Sequence, residues 1–195
     1  DGVKQAEGNL KDGKQEGIIS QWYENGVIKV EASFKDGKQD GLGTEWYDNG
    51  EKKAEVNFKD GQQEGLATSW HENGQQQSEG NVKDGNPDGL ATAWYENGQK
   101  EAEVNFDYGK VMTVSKWKPN GDICPVTNVK DGSGISVVYN EDSTEKERRY
   151  YKDGEKIEVE ERNFKQLDLP EIENELDQLL LDSDISPSLP PPPIK

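Results

Sequence analysis

The sequence is poor in the residues that build most catalytic and metal centres. It contains one cysteine, Cys124, and one histidine, His71, among 195 residues. A single cysteine excludes an intramolecular disulfide and a cluster of thiolate ligands, and we interpret Cys124 as a buried or incidental thiol. A metal-ligating or triad histidine needs partners that this sequence does not supply. We therefore predict that the protein is not an enzyme and that it uses no metal and no cofactor.

Apolar residues are also scarce. Hydrophobic residues make up 30% of the chain and the formal net charge is −17, a combination that would indicate disorder if the residues followed no regular pattern. No run of about 18 apolar residues is present, so we predict no membrane span. The excess of acidic residues opposes binding to nucleic acid and to anionic lipid, and we predict neither as a partner.

The sequence is rich in one pattern, a 24-residue repeat. A Lys-Asp-Gly-x-x-Glu-Gly-Leu segment is followed by Trp, an aromatic residue, Glu, Asn and Gly. The lysines that open the pattern are Lys11, Lys35, Lys59 and Lys83, and the tryptophans are Trp22, Trp46, Trp70 and Trp94. Self-similarity at a fixed period of 20–50 residues indicates a repeat array.

Each repeat predicts two antiparallel strands, because both of its halves alternate with a period of two. In the first strand, the Ile18, Ser20 and Trp22 positions share one face, and the Ile19, Gln21 and Tyr23 positions share the other. In the second strand, Val30, Ala32 and Phe34 point to one side. The Asn-Gly pair marks the turn between the two strands.

The pattern selects a loop with an odd number of residues. A three-residue loop Glu24–Gly26 places Trp22 opposite Ile28 and Ser20 opposite Val30, so that Leu/Ile, Trp, Val/Ala and Phe form one buried stripe. The same argument favours an odd Lys-Asp-Gly connection after Phe34. We also expect the small residues at Ala32 and Gly80 to make room for a neighbouring indole.

These observations predict an all-β fold, an elongated antiparallel meander of repeated hairpins with a short C-terminal α-helix and a proline-rich tail. The expected segments are regular repeats in 1–106, which begin in mid-repeat, degenerate repeats in 107–164, an acidic amphipathic helix in 165–185 and the tail in 186–195. The start in mid-repeat without Met favours a secreted or cell-envelope protein.

The repeat pattern resembles the MORN repeat in its bacterial variant. The resemblance rests on KDGKQEG, on WYENG and on the Ala-Glu-x-x-Phe before the next Lys-Asp-Gly, and it covers residues 1 to about 164. It implies an all-β array that serves as an interaction scaffold. Binding of phospholipid headgroups has been proposed for eukaryotic members, which carry different landmarks. Choline-binding modules of cell walls, which repeat Trp-Tyr-Asn-Gly, are a competing resemblance.

Two rows of residues recur once per repeat and are candidate sites. The aromatic row, Tyr23, Tyr47, His71 and Tyr95, is either a ligand-stacking surface or a cross-strand contribution to sheet stability. In this row, His71 replaces tyrosine as a tolerated substitution. The acidic row, Glu16, Asp40, Glu64 and Asp88, either stabilises turns or forms weak cation sites; turn stabilisation is the preferred interpretation.

The tail carries motifs of a different kind. Residues 167–181 predict a helix with an apolar stripe, which either caps the array or binds a partner. The segment Leu176, Asp177, Gln178, Leu179, Leu180 resembles the LD motif of paxillin-type adaptors, although Ser183 stands at its final leucine. The segment Leu189, Pro190, Pro191, Pro192, Pro193 resembles the ligands of EVH1 domains, because four prolines favour polyproline II. Together these resemblances suggest mimicry of host adhesion ligands, but an ordinary proline-rich, disordered terminus is the preferred interpretation, and a leucine-rich export-type signal is a third.

The preferred hypothesis is a non-enzymatic repeat scaffold for protein–protein interaction, a secreted bacterial protein whose tail engages host or partner proteins. Domains that bind EVH1-type or LD-type ligands are the candidate partners. The first alternative is a ligand-binding module that uses the aromatic row for a cell-envelope glycan, choline or a lipid headgroup. A second alternative is an antitoxin-like or structural protein.

Overall fold

A computed structural model describes residues 5–158. Ten strands come first: β1 (Ala6–Lys11), β2 (Lys14–Trp22), β3 (Ile28–Lys35), β4 (Lys38–Trp46), β5 (Lys52–Lys59), β6 (Gln62–Trp70), β7 (Gln76–Lys83), β8 (Asn86–Trp94), β9 (Lys100–Asp107) and β10 (Lys110–Lys116). Three follow: β11 (Gly134–Tyr139), β12 (Glu145–Lys152) and β13 (Glu155–Ile157). The predicted helix and proline-rich tail lie outside the described residues. Within those residues, no helix is long and apolar enough to cross a membrane.

The strands pair in the order in which they occur along the chain. Strands β1 to β10 form one antiparallel sheet in sequence order, and β11, β12 and β13 form a second sheet. The predicted all-β antiparallel meander of repeated hairpins is therefore confirmed. The hairpins recur because each 24-residue repeat supplies two strands and two turns of fixed chemistry.

The Asn-Gly loop has the predicted length. Tyr23 N–H donates to Val27 O at 2.8 Å and Gly26 N–H donates to Tyr23 O at 2.9 Å, which encloses a three-residue loop. Gly26 has φ 83°, a left-handed conformation that costs glycine little because it has no Cβ. A type I turn followed by a left-handed glycine is a common three-residue hairpin connection.

The connection at Lys-Asp-Gly is shorter than predicted. Lys35 pairs with Lys38, so Asp36 and Gly37 form a two-residue loop. Both residues have positive φ, 51° and 84°, as a type I′ turn requires. The prediction of an odd connection is wrong because Asp-Gly already suits the even turn, and bulges elsewhere in the strands correct the register.

These bulges overturn the predicted single stripe. Trp22 pairs with Ile28 as expected, but Gln21 pairs with Val30, so Lys29 is an extra residue. The same shift precedes the tryptophan in the following repeats. Because residues that pair directly share a face, Val30 lies on the side of Gln21 and not of Trp22. We call the side with the tryptophans the indole face and the side with Phe34 the phenyl face.

The small residues do not make room for an indole. Ala32 pairs with Gly43, and Gly80 pairs with Ala91, both on the phenyl face. A Cβ added at Gly80 would lie 2.8 Å from the Ala91 Cβ. Glycine is needed at position 80 because the neighbouring strand approaches closely there. The prediction that Ala32 and Gly80 make room for an indole is therefore wrong.

The most deeply buried side chains lie beyond the regular repeats. Val129 and Val137 are 2% and 0% exposed, and Ile135 and Cys124 are buried with them. The chain after β10 also bonds to that strand: Val114 N–H donates to Val129 O at 3.3 Å and Cys124 N–H to Lys116 O at 2.8 Å. The segment from Lys110 to Ile157 therefore closes the edge of the ten-stranded sheet at β10 with a small core.

Candidate functional site

The aromatic row ties each repeat to the next. Each side chain reaches the backbone carbonyl of the tryptophan in the following repeat. The four hydrogen bonds are Tyr23 Oη to Trp46 O at 2.7 Å, Tyr47 Oη to Trp70 O at 2.8 Å, His71 Nε2 to Trp94 O at 2.9 Å and Tyr95 Oη to Trp117 O at 2.8 Å. A ring N–H at His71 Nε2 replaces the tyrosine hydroxyl as the donor, which explains why histidine is accepted at this position.

Two of the tyrosine rings in this row also carry lysines. The Lys29 ammonium lies 5.5 Å from the ring centre of Tyr23, and the Lys53 ammonium lies 5.9 Å from that of Tyr47. Both distances allow a cation–π attraction. The polar ends of the aromatic row are thus engaged within the array, and part of its ring surface is covered. This geometry explains the row as a stabilising ladder.

A second ladder runs along the Asn-Gly loops. Each asparagine Oδ1 accepts from the backbone N–H two residues later, as Asn25 Oδ1 does from Val27 N–H at 3.0 Å. Its Nδ2 donates to a carbonyl in the next loop. These donations run from Asn25 to Asp48 O, from Asn49 to Glu72 O, from Asn73 to Glu96 O and from Asn97 to Pro119 O, at 2.8–2.9 Å. Asparagine is therefore required for stacking the loops as well as for turning them.

The acidic row links successive repeats in a similar way at the Lys-Asp-Gly turns, which lie at the opposite ends of the strands. Its carboxylates accept from the backbone N–H of the left-handed turn residue in the next repeat. The pairs are Glu16 with Asp36 at 3.0 Å, Asp40 with Asp60 at 3.3 Å, Glu64 with Asp84 at 2.9 Å and Asp88 with Tyr108 at 3.2 Å. The Asp60 N–H and the Lys59 ammonium hold the pKa of Asp40 below its usual 3.8. The preferred interpretation of this row as turn stabilisation is confirmed.

The indole face carries a row of exposed aliphatic side chains. Ile18, Leu42, Leu66 and Leu90 are 60%, 44%, 50% and 60% exposed. They occupy the same position in successive repeats and stand four residues before each tryptophan. They stand on alternate strands, roughly 9.6 Å apart, and Ser33, Asn57 and Asn81 pair with the first three of them from the strands between. We call this set the aliphatic row.

Charged side chains accompany the indoles on the same face. The Lys52 ammonium lies 5.5 Å from the Trp70 ring centre, and the Lys100 ammonium lies 4.9 Å from that of Trp117. Lys52 also pairs with Glu55 at 2.6 Å. The indole face therefore combines exposed aliphatic, aromatic and charged side chains.

Cys124 lies in a small polar cluster at the end of the aromatic row. Its Sγ accepts from Tyr139 Oη at 2.8 Å and from Thr127 Oγ1 at 3.3 Å. Burial raises the pKa of the Cys124 thiol, but the hydrogen bonds from Thr127 and Tyr139 outweigh burial and leave that pKa below its ordinary value. Burial, Glu101 and the thiol raise the pKa of Tyr95 to about 12. Only 4% of the surface of Cys124 is exposed, so the prediction of a buried thiol is confirmed.

Residues 5–158 contain no group of three or more His, Cys, Asp and Glu side chains that could hold a metal ion. The tail residues Leu176, Asp177, Leu179, Leu180 and Leu189 to Pro193 lie outside the described residues.

Sequence reasoning missed two features of the array. The residue that opens the second strand of each repeat, such as Lys52, contacts the tryptophan of the next repeat. Alternation within single strands gave no signal for this contact. The extra residue such as Lys29 was also missed, although in the second repeat the adjacent polar residues Lys52 and Lys53 could have indicated a bulge.

The comparison with protein families agrees with this geometry. The family model for the MORN repeat variant matches residues 15–36, 39–60, 63–84 and 87–108. No curated protein matches the chain. Each matched segment covers one hairpin with an Asn-Gly loop. The asparagines of these loops and the aromatic residues beside them form the ladders described above. Residues 15–108 are therefore four consecutive MORN repeats, and the protein is a MORN-repeat protein.

Proposed function

We propose that this protein is a non-enzymatic scaffold that binds other proteins through its indole face. MORN repeats commonly form scaffolds that interact with proteins or with membrane lipids. The observation that carries the proposal is the aliphatic row, since Leu42, Leu66 and their equivalents are large apolar side chains left 44–60% exposed. Anionic lipid is disfavoured as a partner because the chain carries a net charge of −17.

The aromatic row is the weaker candidate surface. Its hydroxyls already donate to carbonyls of the next repeat, and Lys29 and Lys53 lie over two of its rings. A glycan, choline or lipid headgroup would have to compete with these contacts. The indole face has no such competition along the aliphatic row.

The tail is proposed as a second, independent binding element. Its support is the sequence alone: the LD-like segment around Leu176 to Leu180 and the Leu189 to Pro193 run. Polyproline II segments bind aromatic-lined grooves with little loss of conformational entropy. EVH1-type and LD-binding domains are therefore the proposed partners of the tail.

A triple substitution tests the indole face. Leu42→Ser, Leu66→Ser and Leu90→Ser together should leave the β-sheet circular dichroism intact and abolish retention of partner proteins in a pull-down. Partners identified by mass spectrometry are then purified and titrated directly. The matched control is Glu24→Ser, Glu72→Ser and Glu96→Ser, which changes three exposed loop side chains. Equal binding by both triple variants would rule out the indole face.

Deletion of residues 166–195 tests the tail separately. We expect purified EVH1-type or LD-binding domains to lose binding while partners of the indole face are retained. Unchanged binding of those domains to the shortened protein would exclude the tail motifs and leave the indole-face proposal untouched.

A further inference from the structure

A trough crosses the strands of the indole face between the aliphatic row and the tryptophans. On β4, Leu42, Thr44 and Trp46 point to one face because side chains alternate along a strand. The Cα atoms of Leu42 and Trp46 are about 13 Å apart at roughly 3.3 Å per residue. Thr44 between them is short and buried, and it lies in the floor, where Glu31 and Glu55 of the neighbouring strands pair with it. An α-helix is about 10–12 Å wide, so the flanking side chains leave room for an extended chain and not for a helix.

The carboxylates along this trough are neutralised in alternate repeats only. Glu55 pairs with Lys52 at 2.6 Å and Glu103 pairs with Lys100 at 2.6 Å. In the other two repeats, Ile28 and Gln76 replace the lysine. Among the residues that the structure describes, Glu31 accepts from Ser20 and Glu79 accepts from Gln76, and neither forms an ion pair. Two uncompensated negative charges therefore stand in the trough itself, one on β3 opposite Thr44 and one on β7 opposite Thr68.

The spacing of these charges matches one type of backbone. Four inter-strand steps separate β3 from β7, or about 19 Å at roughly 4.8 Å per step. Six residues of polyproline II rise about 19 Å at 3.1 Å each. A single repeat spans about 9.6 Å, and one three-residue turn of polyproline II spans about 9.3 Å. A ligand of this kind places an equivalent side chain on every repeat.

Other backbones fit this periodicity less well. A ligand in β-strand conformation covers one repeat in about three residues. Because side chains alternate along a strand, every second repeat would then face a side chain that points away from the surface. Seven residues of α-helix rise about 10.5 Å, and the mismatch accumulates to about 2 Å over two repeats. The strands' backbone groups are paired within the sheet, so the face offers none to a ligand. Polyproline II needs none, because its own backbone stays hydrated.

We infer that the trough bounded by Leu42, Leu66, Trp46 and Trp70 binds a polyproline II segment of a partner protein that carries two basic residues six positions apart. The basic residues pair with Glu31 and Glu79, and the prolines between them pack on the leucines and indoles. This inference rests on the proposed function, because it names the partner class of the indole face.

Synthetic peptides test the inference directly. The first probe is a proline peptide with arginines at positions i and i+6, and the second has the same composition with arginines at i and i+4. Isothermal titration calorimetry on the full-length protein should show about threefold weaker binding for the second peptide, since only one of its arginines can reach a carboxylate and the lost exposed ion pair contributes roughly 0.7 kcal/mol. Raising the salt concentration should reduce this difference.

A pair of charge-matched variants locates the site. Glu31→Gln with Glu79→Gln should weaken binding of the first peptide about tenfold. Glu72→Gln with Glu96→Gln removes the same charge from exposed loops and should leave the dissociation constant within about twofold, because those carboxylates lie outside the trough. Circular dichroism and the urea midpoint confirm that both variants are folded.

The results separate this inference from the proposed function. Equal affinity for the two arginine spacings, or equal losses in the two variants, would overturn the polyproline II site. If a helical arginine peptide binds more tightly than either proline peptide, the site is also overturned. In either case, loss of partner binding on substitution of the leucines would still support the proposed function. Peptide binding that survives the leucine substitutions would also overturn the polyproline II site, while the proposed function would still be decided by the binding of partner proteins to the same variant.

Discussion

The regular repeats and the segment that closes them are stabilised by different means. From Lys14 to Asp107, only four residues are buried, whereas twelve are buried in the shorter stretch from Lys110 to Ile157. The repeats depend on hydrogen bonds that link each hairpin to the next, and the closing segment depends on packing around Val129 and Val137. No large side chain is fully buried in the array from Lys14 to Asp107, whereas its end packs around a small core where one neighbouring repeat is missing.

Glycine substitutions should separate the two regions most strongly. Gly134 has φ 135°, and an added Cβ would lie 2.8 Å from Asn128 O and 2.9 Å from Val129 Cα. Gly65 has φ 85° and open space around its Cβ position. We expect Gly134→Ala to cost about 3–5 kcal/mol from overpacking and strain, and Gly65→Ala about 1–2 kcal/mol from strain alone. Urea denaturation measures both. Equal costs would mean that the closing segment is not tightly packed.

Truncation of apolar side chains gives the next largest contrast. Val137 is fully buried and Leu66 is 50% exposed. Val137→Ala should lower the free energy of unfolding by about 2–3 kcal/mol, because two buried methyl groups are lost and a cavity remains. Leu66→Ala should change it by less than about 0.5 kcal/mol. Thermal unfolding of both variants checks this. A large loss at Leu66 would show that the aliphatic row is part of a core and not a free surface.

Much of the array could be predicted from its period, and its bulges could not. Alternation along the strand that ends at Trp22 predicts the strand, and Asn25-Gly26 predicts the loop. The extra residue Lys29 is invisible to this reasoning, because alternation is counted within one strand while a bulge changes the pairing between two. The Asp36-Gly37 pair is itself typical of a type I′ turn, but the alternation of apolar side chains favoured a loop with an odd number of residues instead.

The candidate sites were predictable to different degrees. The aromatic and acidic rows followed from the period, but their hydrogen-bond acceptors and donors are backbone groups of the next repeat, which carry no sequence signal. The core around Val137 lies where the repeat has decayed, so no pattern identified it. The sequence shows that lysine and an uncharged residue alternate at the positions of Lys52 and Gln76. Only the structure shows that this position lies on the indole face beside a glutamate.

The aromatic ladder should contribute a smaller, local increment of stability. Tyr47→Phe removes the hydrogen bond from Tyr47 Oη to Trp70 O and leaves that partly buried carbonyl without this donor. We expect a loss of about 1 kcal/mol. His71→Tyr restores the side chain of the sister repeats and should be close to neutral. Chemical denaturation of the two variants provides the measurement. An unchanged stability for Tyr47→Phe would show that pairing within the sheet suffices to hold adjacent repeats together.

The acidic row should give the smallest effect, visible only as a pH dependence. The Asp60 N–H and the Lys59 ammonium lower the pKa of Asp40 in the folded protein below its usual 3.8. In the closing segment, the Thr144 hydroxyl and N–H lower the pKa of Asp142 in the same direction, but within a single turn. For both, the stabilisation is present above the unfolded pKa and is lost as pH falls through the unfolded and then the folded value.

Asp40→Asn should therefore flatten the decline in the urea midpoint between pH 5 and the acid limit (about pH 2) more than Asp142→Asn does. The reason is that the contact of Asp142 lies within its own turn, which the unfolded chain can partly re-form. The partners of Asp40 lie about 20 residues away and are lost on unfolding, so the pKa of Asp40 differs more between the two states. Urea titrations at several pH values compare the variants with the natural sequence, and carboxyl NMR titration checks the two pKa values. If Asp142→Asn flattens the curve equally, the links between repeats contribute no more than local turn chemistry, and the distinction between the array and its closing segment rests on packing alone.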